Sequence, residues 1–242
     1  MADRYYVETP IVGDRAVVSG DEAHHLLHVM RAKVGQQATL FDGSGAEFSA
    51  RVERLGRTEA ELLILGRSEV DRELPHELTL AVALPKGDRQ RWLVEKAVEL
   101  GVTRLVPLET ARGVAQPVDK ALARLRRAVI EACKQCGRNH LMEIEPSRAW
   151  GEHCRERPAA AELRLVADPA SPIPLRSAGI DSASAVQAAI GPEGGWTAEE
   201  LTLAEEHGWR RVRLGRRILR IETAALNLAA AVGILWEGGE RD

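Results

Sequence analysis

The chain has few cysteines and few aromatic residues, and it lacks a long apolar run. Its three cysteines are an odd number for 242 residues, which argues against a disulfide scaffold and favours a reducing compartment. Residues 1–10, MADRYYVETP, lack the basic start and the apolar core of a signal peptide. The longest largely apolar stretch, residues 224–236, is too short to cross a bilayer. We therefore expect a cytoplasmic protein that does not enter a membrane.

Acidic and basic residues nearly balance, so the net charge of −3 gives no overall sign of nucleic-acid binding. The arginines are nevertheless clustered. Six of them lie within residues 210–220, which contain no acidic residue, and a second basic group lies within residues 124–138. Basic runs are usually solvated surface, but two of them on a chain with a glycine-rich loop favour contact with phosphate groups.

Residues 1–72 have the pattern of a small β-rich unit. Asp21 is placed to cap a short helix that continues to Met30. A glycine turn at residues 42–45 between two strands predicts a hairpin. Several short strands closed by glycine turns predict a small barrel. The predicted strands cover residues 5–7, 15–18, 39–41, 47–52 and 61–65.

Residues 73–242 alternate strands with helices, which predicts an α/β domain with a mostly parallel sheet. The polar segment 67–76 contains a proline and marks the boundary between the two parts. The last helix is apolar all round, so we expect burial on nearly every side. The predicted strands cover residues 78–84, 102–108, 163–167, 185–190 and 212–214. The predicted helices cover residues 89–100 after a cap at Asp88, 120–136, 198–208 after a capping box at Thr197, and 224–236.

Two loops near the C-terminus predict a ligand site. Residues 190–197, IGPEGGWT, form a glycine loop that follows an apolar strand and precedes a capped helix. Open α/β sheets bind ligands at this end of their strands, although the loop is neither GxGxxG nor a P-loop. Residues 214–220, LGRRILR, form a basic loop before the last helix. The alternative is a plain structural turn and a basic loop in front of a core helix.

Two other motifs suggest metal or redox chemistry but fit it poorly. His24 and His28 lie one helical turn apart, a spacing that can bind a metal, but no third ligand is evident nearby. Cys133 and Cys136 form a CxxC pair at the end of a predicted helix, whereas reactive pairs lie at a helix N-terminus. We therefore expect packing or surface histidines, buried structural thiols and no metal site.

Longer stretches carry a resemblance to a known family. IGPEGGWTAEEL at 190–201 and LGRRILRIETAALNLAAAVG at 214–233 closely resemble the RsmE family of ribosomal RNA uridine N3-methyltransferases, members of the knotted SPOUT superfamily. Two departures are small: Ile221 stands where the family usually has Thr, and Trp196 where Phe or Leu is common. We therefore assign no polar role to position 221. Further agreement lies in HHLLHVMRAKVG at 24–35, KGDRQRWLVEKAVELGVTRLVPLET at 86–110 and EACKQCGRNH at 131–140.

The resemblance implies a PUA-like β-barrel for RNA over residues 1–72. It also implies a SPOUT α/β domain with a deep trefoil knot over residues 73–242, which binds S-adenosylmethionine (SAM) and forms a homodimer. The implied partner is 16S ribosomal RNA or the small ribosomal subunit. The implied SAM-binding positions are Val166, Ala167, Ile190, Gly191, Gly194, Gly195, Leu214, Gly215, Ile218, Leu219, Arg220, Thr223 and Ala224.

The implied reaction is methylation of N3 of a specific uridine in 16S ribosomal RNA. N3 becomes a good nucleophile only after losing its proton, so a base or a cation near O2 and O4 assists. Arg220 is the first candidate for the electrostatic role. Glu193 is the candidate for proton removal or base positioning, the alternative being a carboxylate that bonds the amides of its own loop. The candidate RNA-binding cations are Arg31, Lys86, Arg89, Arg138, Arg216 and Arg217.

Two rival functions remain open from the residues. One is an enzyme of the same fold that modifies another RNA position, such as a ribose 2′-hydroxyl in tRNA. The other is a non-catalytic RNA-binding assembly protein, and a lack of SAM binding would favour it.

Overall fold

The computed structural model describes residues 3–113 and 119–238. The chain divides into two compact units. The N-terminal unit consists of Met1–Glu73 together with Ile130–Leu141, and the C-terminal unit consists of Leu74–Val129 together with Met142–Asp242. The sequence predicted one boundary between residues 72 and 73, with no return of the chain to the first unit.

In the described part of the N-terminal unit, five strands form a sheet in the order β1-β3-β4-β5-β2. β1 is parallel to β3, and the other neighbouring pairs are antiparallel. In β2, Ala16 and Val18 are buried between exposed residues, as expected of a strand with one face on a core. The strands are β1 (Arg4–Tyr6), β2 (Arg15–Ser19), β3 (Gln37–Phe41), β4 (Ala46–Leu55) and β5 (Glu59–Glu69).

The predicted hairpin is present, since β3 and β4 pair antiparallel on either side of residues 42–45. The predicted helix that Asp21 caps is wrong in its start and its form. α1 covers Gly20–His24 with Ser19 at its N-cap position, and a π-helical turn continues from His25 to Val29. Because the helix starts two residues earlier than expected, Asp21 lies in its first turn, where a negative charge suits the helix dipole.

Among the described residues of the C-terminal unit, seven strands form a sheet in the order β12-β10-β11-β6-β7-β8, and β9 also pairs with β7. Every pairing is parallel, which confirms the predicted mostly parallel sheet. The last five residues of β6 are all buried, as in a strand covered on both faces. The strands are β6 (Glu77–Val82), β7 (Arg104–Glu109), β8 (Glu143–Ile144), β9 (Arg148–Ala149), β10 (Glu162–Ala167), β11 (Ala185–Ile190) and β12 (Arg210–Val212).

The helices follow the predicted pattern with some corrections. Asp88 occupies the N-cap position of α2, but its side chain makes no capping hydrogen bond. The last helix is not buried on every side within this chain, because Ile234 is 71% exposed and Leu235 is 41% exposed. Two short 3-10 helices cover Leu175–Ser177 and Ile180–Ser182. The remaining helices are α2 (Arg89–Glu99), α3 (Asp119–Cys136), α4 (Trp150–Arg155), α5 (Ala198–Glu206) and α6 (Ile221–Glu237).

No helix in the described ranges 3–113 and 119–238 is long and apolar enough to span a bilayer. The CxxC pair lies at the C-terminal end of α3, as predicted. Cys133 is buried, but Cys136 is only half-buried, so the expectation of two buried thiols is wrong for the second. The rings of His24 and His28 lie 5.0 Å apart.

The predicted capping box at the start of α5 is present. Thr197 Oγ1 accepts a hydrogen bond from the Glu200 amide at 3.2 Å, and Glu200 Oε2 accepts one from the Thr197 amide at 2.8 Å. Thr197→Ala removes the first bond and should lower the free energy of unfolding by about 1 kcal/mol in urea denaturation. The control is Thr202→Ala on the same helix, where Thr202 is exposed. A loss no larger at Thr197 than at Thr202 would contradict this role.

His153 is buried among aromatic rings, with the Trp150 ring at 6.4 Å and the Trp209 ring at 5.9 Å. Neither ring nitrogen has a hydrogen-bond partner among the described residues. Burial, and to a lesser extent the nearby guanidinium groups of Arg148 and Arg164, together lower the pKa of His153 to about 4. His153 is therefore neutral in the folded protein at neutral pH.

This burial predicts a pH dependence of stability. The unfolded chain takes up a proton on His153 near pH 6.5, whereas the folded chain does so only near pH 4. The free energy of unfolding should therefore fall by up to about 3 kcal/mol from this group as the pH drops through that interval. In His153→Phe, denaturation at pH 7, 5.5 and 4.5 should show a shallower decline than in the wild type. Equal declines in the two proteins would contradict the prediction.

Candidate active site

The glycine loop begins where β11 ends. The Gly195 amide donates a hydrogen bond to the Pro192 carbonyl at 2.9 Å, which closes a tight turn. Gly195 has a φ of +69°, a conformation that glycine adopts without steric cost. A Cβ built on Gly195 would meet no described atom within 4 Å. The turn therefore presents backbone with open space beside it.

Trp196 fixes the glycine loop to the neighbouring strand. Its Nε1 donates a hydrogen bond to the carbonyl of Ala167, the last residue of β10, at 3.1 Å. A Cβ on Gly191 would lie only 2.8 Å from the Trp196 ring. The ring also packs against Trp150, with centroids 4.7 Å apart. Only glycine at position 191 allows the loop and the indole to approach this closely.

The Arg112 side chain binds the backbone of the same loop. Arg112 Nη1 donates hydrogen bonds to the carbonyl oxygens of Gly194 at 3.0 Å and Trp196 at 3.3 Å. A Cβ on Gly194 would lie 3.1 Å from the Cβ of Arg112. Glycine at position 194 therefore avoids a tight contact with Arg112.

The basic loop connects β12 to α6. Gly215 has a φ of +149°, and a Cβ there would meet no described atom within 4 Å. Arg220 occupies the N-cap position of α6, where its carbonyl accepts a hydrogen bond from the Ala224 amide at 2.8 Å. The Arg220 side chain is exposed. A flexible cation is thus attached to a helix start, which itself carries partial positive charge.

Both loops line one cavity of about 390 Å³. β10, β11 and β12 are neighbouring parallel strands, so the segments that follow them meet at one edge of the sheet. The volume and the mixture of apolar side chains with backbone groups suit a small organic ligand. The lining residues are Ala167, Asp168, Pro169, Ile190, Gly191, Pro192, Glu193, Gly195, Trp196, Leu201, Leu214, Gly215, Arg217, Ile218, Leu219, Arg220, Ile221 and Ala224.

Most of the predicted ligand-binding positions lie on this cavity, and three do not. Val166 is fully buried in a core cluster that includes Trp150. Gly194 faces Arg112, and Thr223 is exposed on α6. The predicted positions that do line it are Ala167, Ile190, Gly191, Gly195, Leu214, Gly215, Ile218, Leu219, Arg220 and Ala224.

Sequence reasoning missed Asp168, which lines the cavity directly after β10. Its Oδ2 accepts hydrogen bonds from Arg211 Nη2 at 2.6 Å and Arg211 Nε at 3.0 Å. A carboxylate immediately after an apolar strand is the signal that could have identified it. Other missed lining residues are Pro169, Pro192, Trp196, Leu201 and Ile221, while Arg217 was expected only as an RNA contact.

Family models match both parts of the chain. One described as "RNA methyltransferase domain" matches residues 72–233, and one described as "RNA methyltransferase PUA domain" matches residues 18–65. The ribosomal RNA small subunit methyltransferase E of Mycobacterium bovis is 33% identical, over 98% of this chain and 95% of the relative. This chain belongs to the ribosomal RNA small subunit methyltransferase E family. It combines a PUA-like N-terminal domain with a parallel α/β sheet.

Two similar solved structures share the fold over almost their whole length. The crystal structure of the enzyme from Neisseria gonorrhoeae, bound to S-adenosyl methionine, has a TM-score of 0.90 and 34% identity, covering 98% of both chains. A methyltransferase from Legionella pneumophila, in complex with SAM, has a TM-score of 0.89 and 32% identity, covering 96% of this chain and 97% of the other.

Glu193 is paired with a cation. Its Oε1 accepts a hydrogen bond from Arg89 Nη2 at 3.4 Å, and its side chain is 46% exposed. Among the described residues this is its hydrogen-bonding partner, rather than an amide of its own loop. The carboxylate is thus available on the lining of the cavity, next to a guanidinium group.

The predicted RNA-binding cations differ in exposure. Lys86, Arg31, Arg216 and Arg217 are exposed, and Arg89 is half-buried. Arg138 is buried, and its guanidinium binds both carboxylate oxygens of Glu73. This position does not suit the phosphate contact predicted for Arg138, because the charge is already paired inside the protein.

The described residues contain no group of three or more His, Cys, Asp or Glu side chains arranged to hold a metal ion.

Proposed function

We propose that the chain methylates N3 of a specific uridine in the 16S ribosomal RNA of the small subunit, with SAM as the methyl donor, during ribosome biogenesis. Support comes from the family membership, from the SAM-bound relatives and from the cavity at the ends of β10, β11 and β12. The cavity is the observation that carries the proposal, since it unites the glycine loop with the basic loop.

The residues that line the cavity fit SAM. Ile190, Leu214 and Leu219 supply apolar surface for an adenine ring, and backbone at Gly191 and Gly195 supplies polar groups without a Cβ. Asp168 adds a carboxylate. When bound, SAM supplies a methyl group activated by a sulfonium leaving group. The protein then has to bind SAM and the target uridine, orient them and stabilise the charge that develops on the uracil.

We propose the electrostatic role for Arg220. Uracil that loses its N3 proton gathers negative charge on O2 and O4. The exposed Arg220 guanidinium on the cavity lining, beside the positive end of α6, can stabilise that charge. The target base has to be unpaired, because N3 is on the Watson–Crick edge.

We propose that Glu193 accepts the N3 proton or positions the base. Its carboxylate lines the cavity on the glycine loop, whereas Arg220 lines it on the other loop. A base and a cation are therefore available at a single site, which is the arrangement that this proton transfer requires.

A deep trefoil knot and a homodimer complete the proposal. β12 is at one end of the sheet, whereas α6 packs on β6 and β11 in its middle, so the chain has to return across the site after the basic loop. The exposed Ile234 and Leu235 of α6 supply an apolar surface for a second copy. We place the boundary of the PUA-like domain near residues 72–73 and the protein in the cytoplasm. RNA would bind to the PUA-like domain and to the exposed cations Arg31, Lys86, Arg216 and Arg217.

The test is methyl transfer from labelled SAM to isolated small ribosomal subunits. Subunits come from a strain that lacks the gene, and the modified base is mapped by mass spectrometry of nuclease fragments. We expect one 3-methyluridine in 16S RNA. Subunits from the parent strain, which already carry the modification, and large subunits are the controls and should accept no label. Label on a ribose, label on tRNA, or no transfer of label to RNA at all would contradict the proposal.

A further inference from the structure

Glu222 is a buried carboxylate beside the cavity. It lies in the first turn of α6 and is only 6% exposed, and its neighbour Ile221 lines the cavity. Its Oε2 is buried without a hydrogen-bond partner among the described residues. Buried polar atoms nearly always have partners, so an unpaired carboxylate oxygen at this position requires an explanation.

Arg89 links Glu222 to Glu193. Arg89 Nη1 lies 3.6 Å from Glu222 Oε1, and Arg89 Nη2 lies 3.4 Å from Glu193 Oε1. The guanidinium belongs to α2, whereas the two carboxylates belong to α6 and to the glycine loop. One side chain therefore connects two of the segments that line the cavity.

Stability alone does not account for Glu222. An ion pair with a guanidinium that is 39% exposed is weakly stabilising, because solvent screens it. Burying a carboxylate oxygen with no partner is destabilising by more than such a pair returns. A leucine of similar volume would avoid that loss, and natural proteins keep such locally unfavourable groups mainly at functional sites.

We propose that Glu222 is a positioning residue: its fixed carboxylate holds Arg89, and Arg89 in turn holds Glu193 on the lining of the cavity. The rigid first turn of α6 fixes the Glu222 end of the link, and the helix dipole favours a negative charge there. The glycine loop carries the Glu193 end. The activity readout rests on the proposed function, while the structural readout below does not.

The first test is Glu222→Gln, which keeps the shape and removes the charge. We expect kcat for methyl transfer to small subunits to fall roughly 10- to 100-fold, since a misplaced group near the reacting atoms has effects of this size. The KM and the calorimetric Kd for SAM should stay within about 2-fold, and the thermal midpoint should not fall. Glu95→Gln is the control, because it breaks the 2.6 Å Arg91–Glu95 ion pair on α2, the helix that carries Arg89, and should leave every value unchanged.

Two further readouts separate positioning from a structural role. A crystal structure of Glu222→Gln should show Arg89 released from Glu193. In a double-mutant cycle, adding Glu222→Gln to Arg89→Gln should cause no further loss of kcat. The proposal is overturned if Glu222→Gln leaves kcat unchanged or lowers kcat and the thermal midpoint together. It is also overturned if the two substitutions lower kcat independently, so that their effects multiply in the double mutant, or if the Arg89–Glu193 contact stays intact. If wild-type protein modifies no ribosomal RNA, the proposed function fails, and the crystal structure still decides whether Glu222 positions Arg89.

Discussion

Replacing Arg220 with alanine is expected to lower the rate of methyl transfer by roughly 10- to 1000-fold, the range for losing one preorganised electrostatic group. Alanine keeps the backbone that Arg220 contributes to the cavity and to the first turn of α6. SAM binding should therefore change little. The loss falls on the charge that develops on the uracil oxygens, which the guanidinium would otherwise stabilise.

Single-turnover rates with saturating small subunits, together with calorimetry for SAM, measure this effect. Arg216→Ala is the matched control, since Arg216 is an exposed arginine of the same loop that does not line the cavity. We expect Arg216→Ala to raise KM for the small subunit without lowering the single-turnover rate. A folded Arg220→Ala protein with near-normal turnover would remove Arg220 from the mechanism.

Replacing Gly195 with valine is expected to abolish SAM binding. Gly195 lines the cavity and has a φ of +69°, which a β-branched residue adopts only with strain. The added side chain would also occupy space that the glycine leaves open beside the turn. The loop either changes its backbone conformation or keeps it with the valine side chain in the open space. Each outcome alters the surface that the loop presents to SAM.

Gly208→Val separates strain from exclusion of the ligand. Gly208 has a φ of +80°, and a Cβ there also meets no described atom within 4 Å, but this residue follows α5 and does not line the cavity. Both variants should lose thermal stability to a similar degree, whereas calorimetry should detect SAM binding only with Gly208→Val. Tight binding by Gly195→Val, or equal loss of binding by both, would refute the placement of the donor.

The elements with strong local signals could be predicted from the sequence. The capping box at Thr197 and the hairpin turn at residues 42–45 depend on residues close together in the chain. Strand β11 was predicted with its observed bounds, because it is an apolar run, interrupted by Gln187 alone, that stops at a glycine. The cavity followed from the same logic, since a parallel sheet brings its strand ends to one edge.

Features that depend on distant residues could not be predicted. Arg138 looked like a surface cation, but its partner Glu73 lies 65 positions away, and no local pattern announces that pair. The return of residues 130–141 to the N-terminal unit is equally nonlocal. Strands β8 and β9 have two residues each, too few for a period to show. The exposed stripe on α6 was not predicted. An apolar composition indicates that a helix is buried, but it does not show whether the same chain or a partner covers each face.

The position of SAM in a soaked crystal decides whether the cavity between the two loops is the donor site. We expect the donor to lie in the cavity between the glycine loop and the basic loop, in contact with Gly191, Gly195 and Leu219, with Arg220 at the same site. SAM bound anywhere else on the chain, or a SAM-bound structure in which these two loops do not share one cavity, would contradict it.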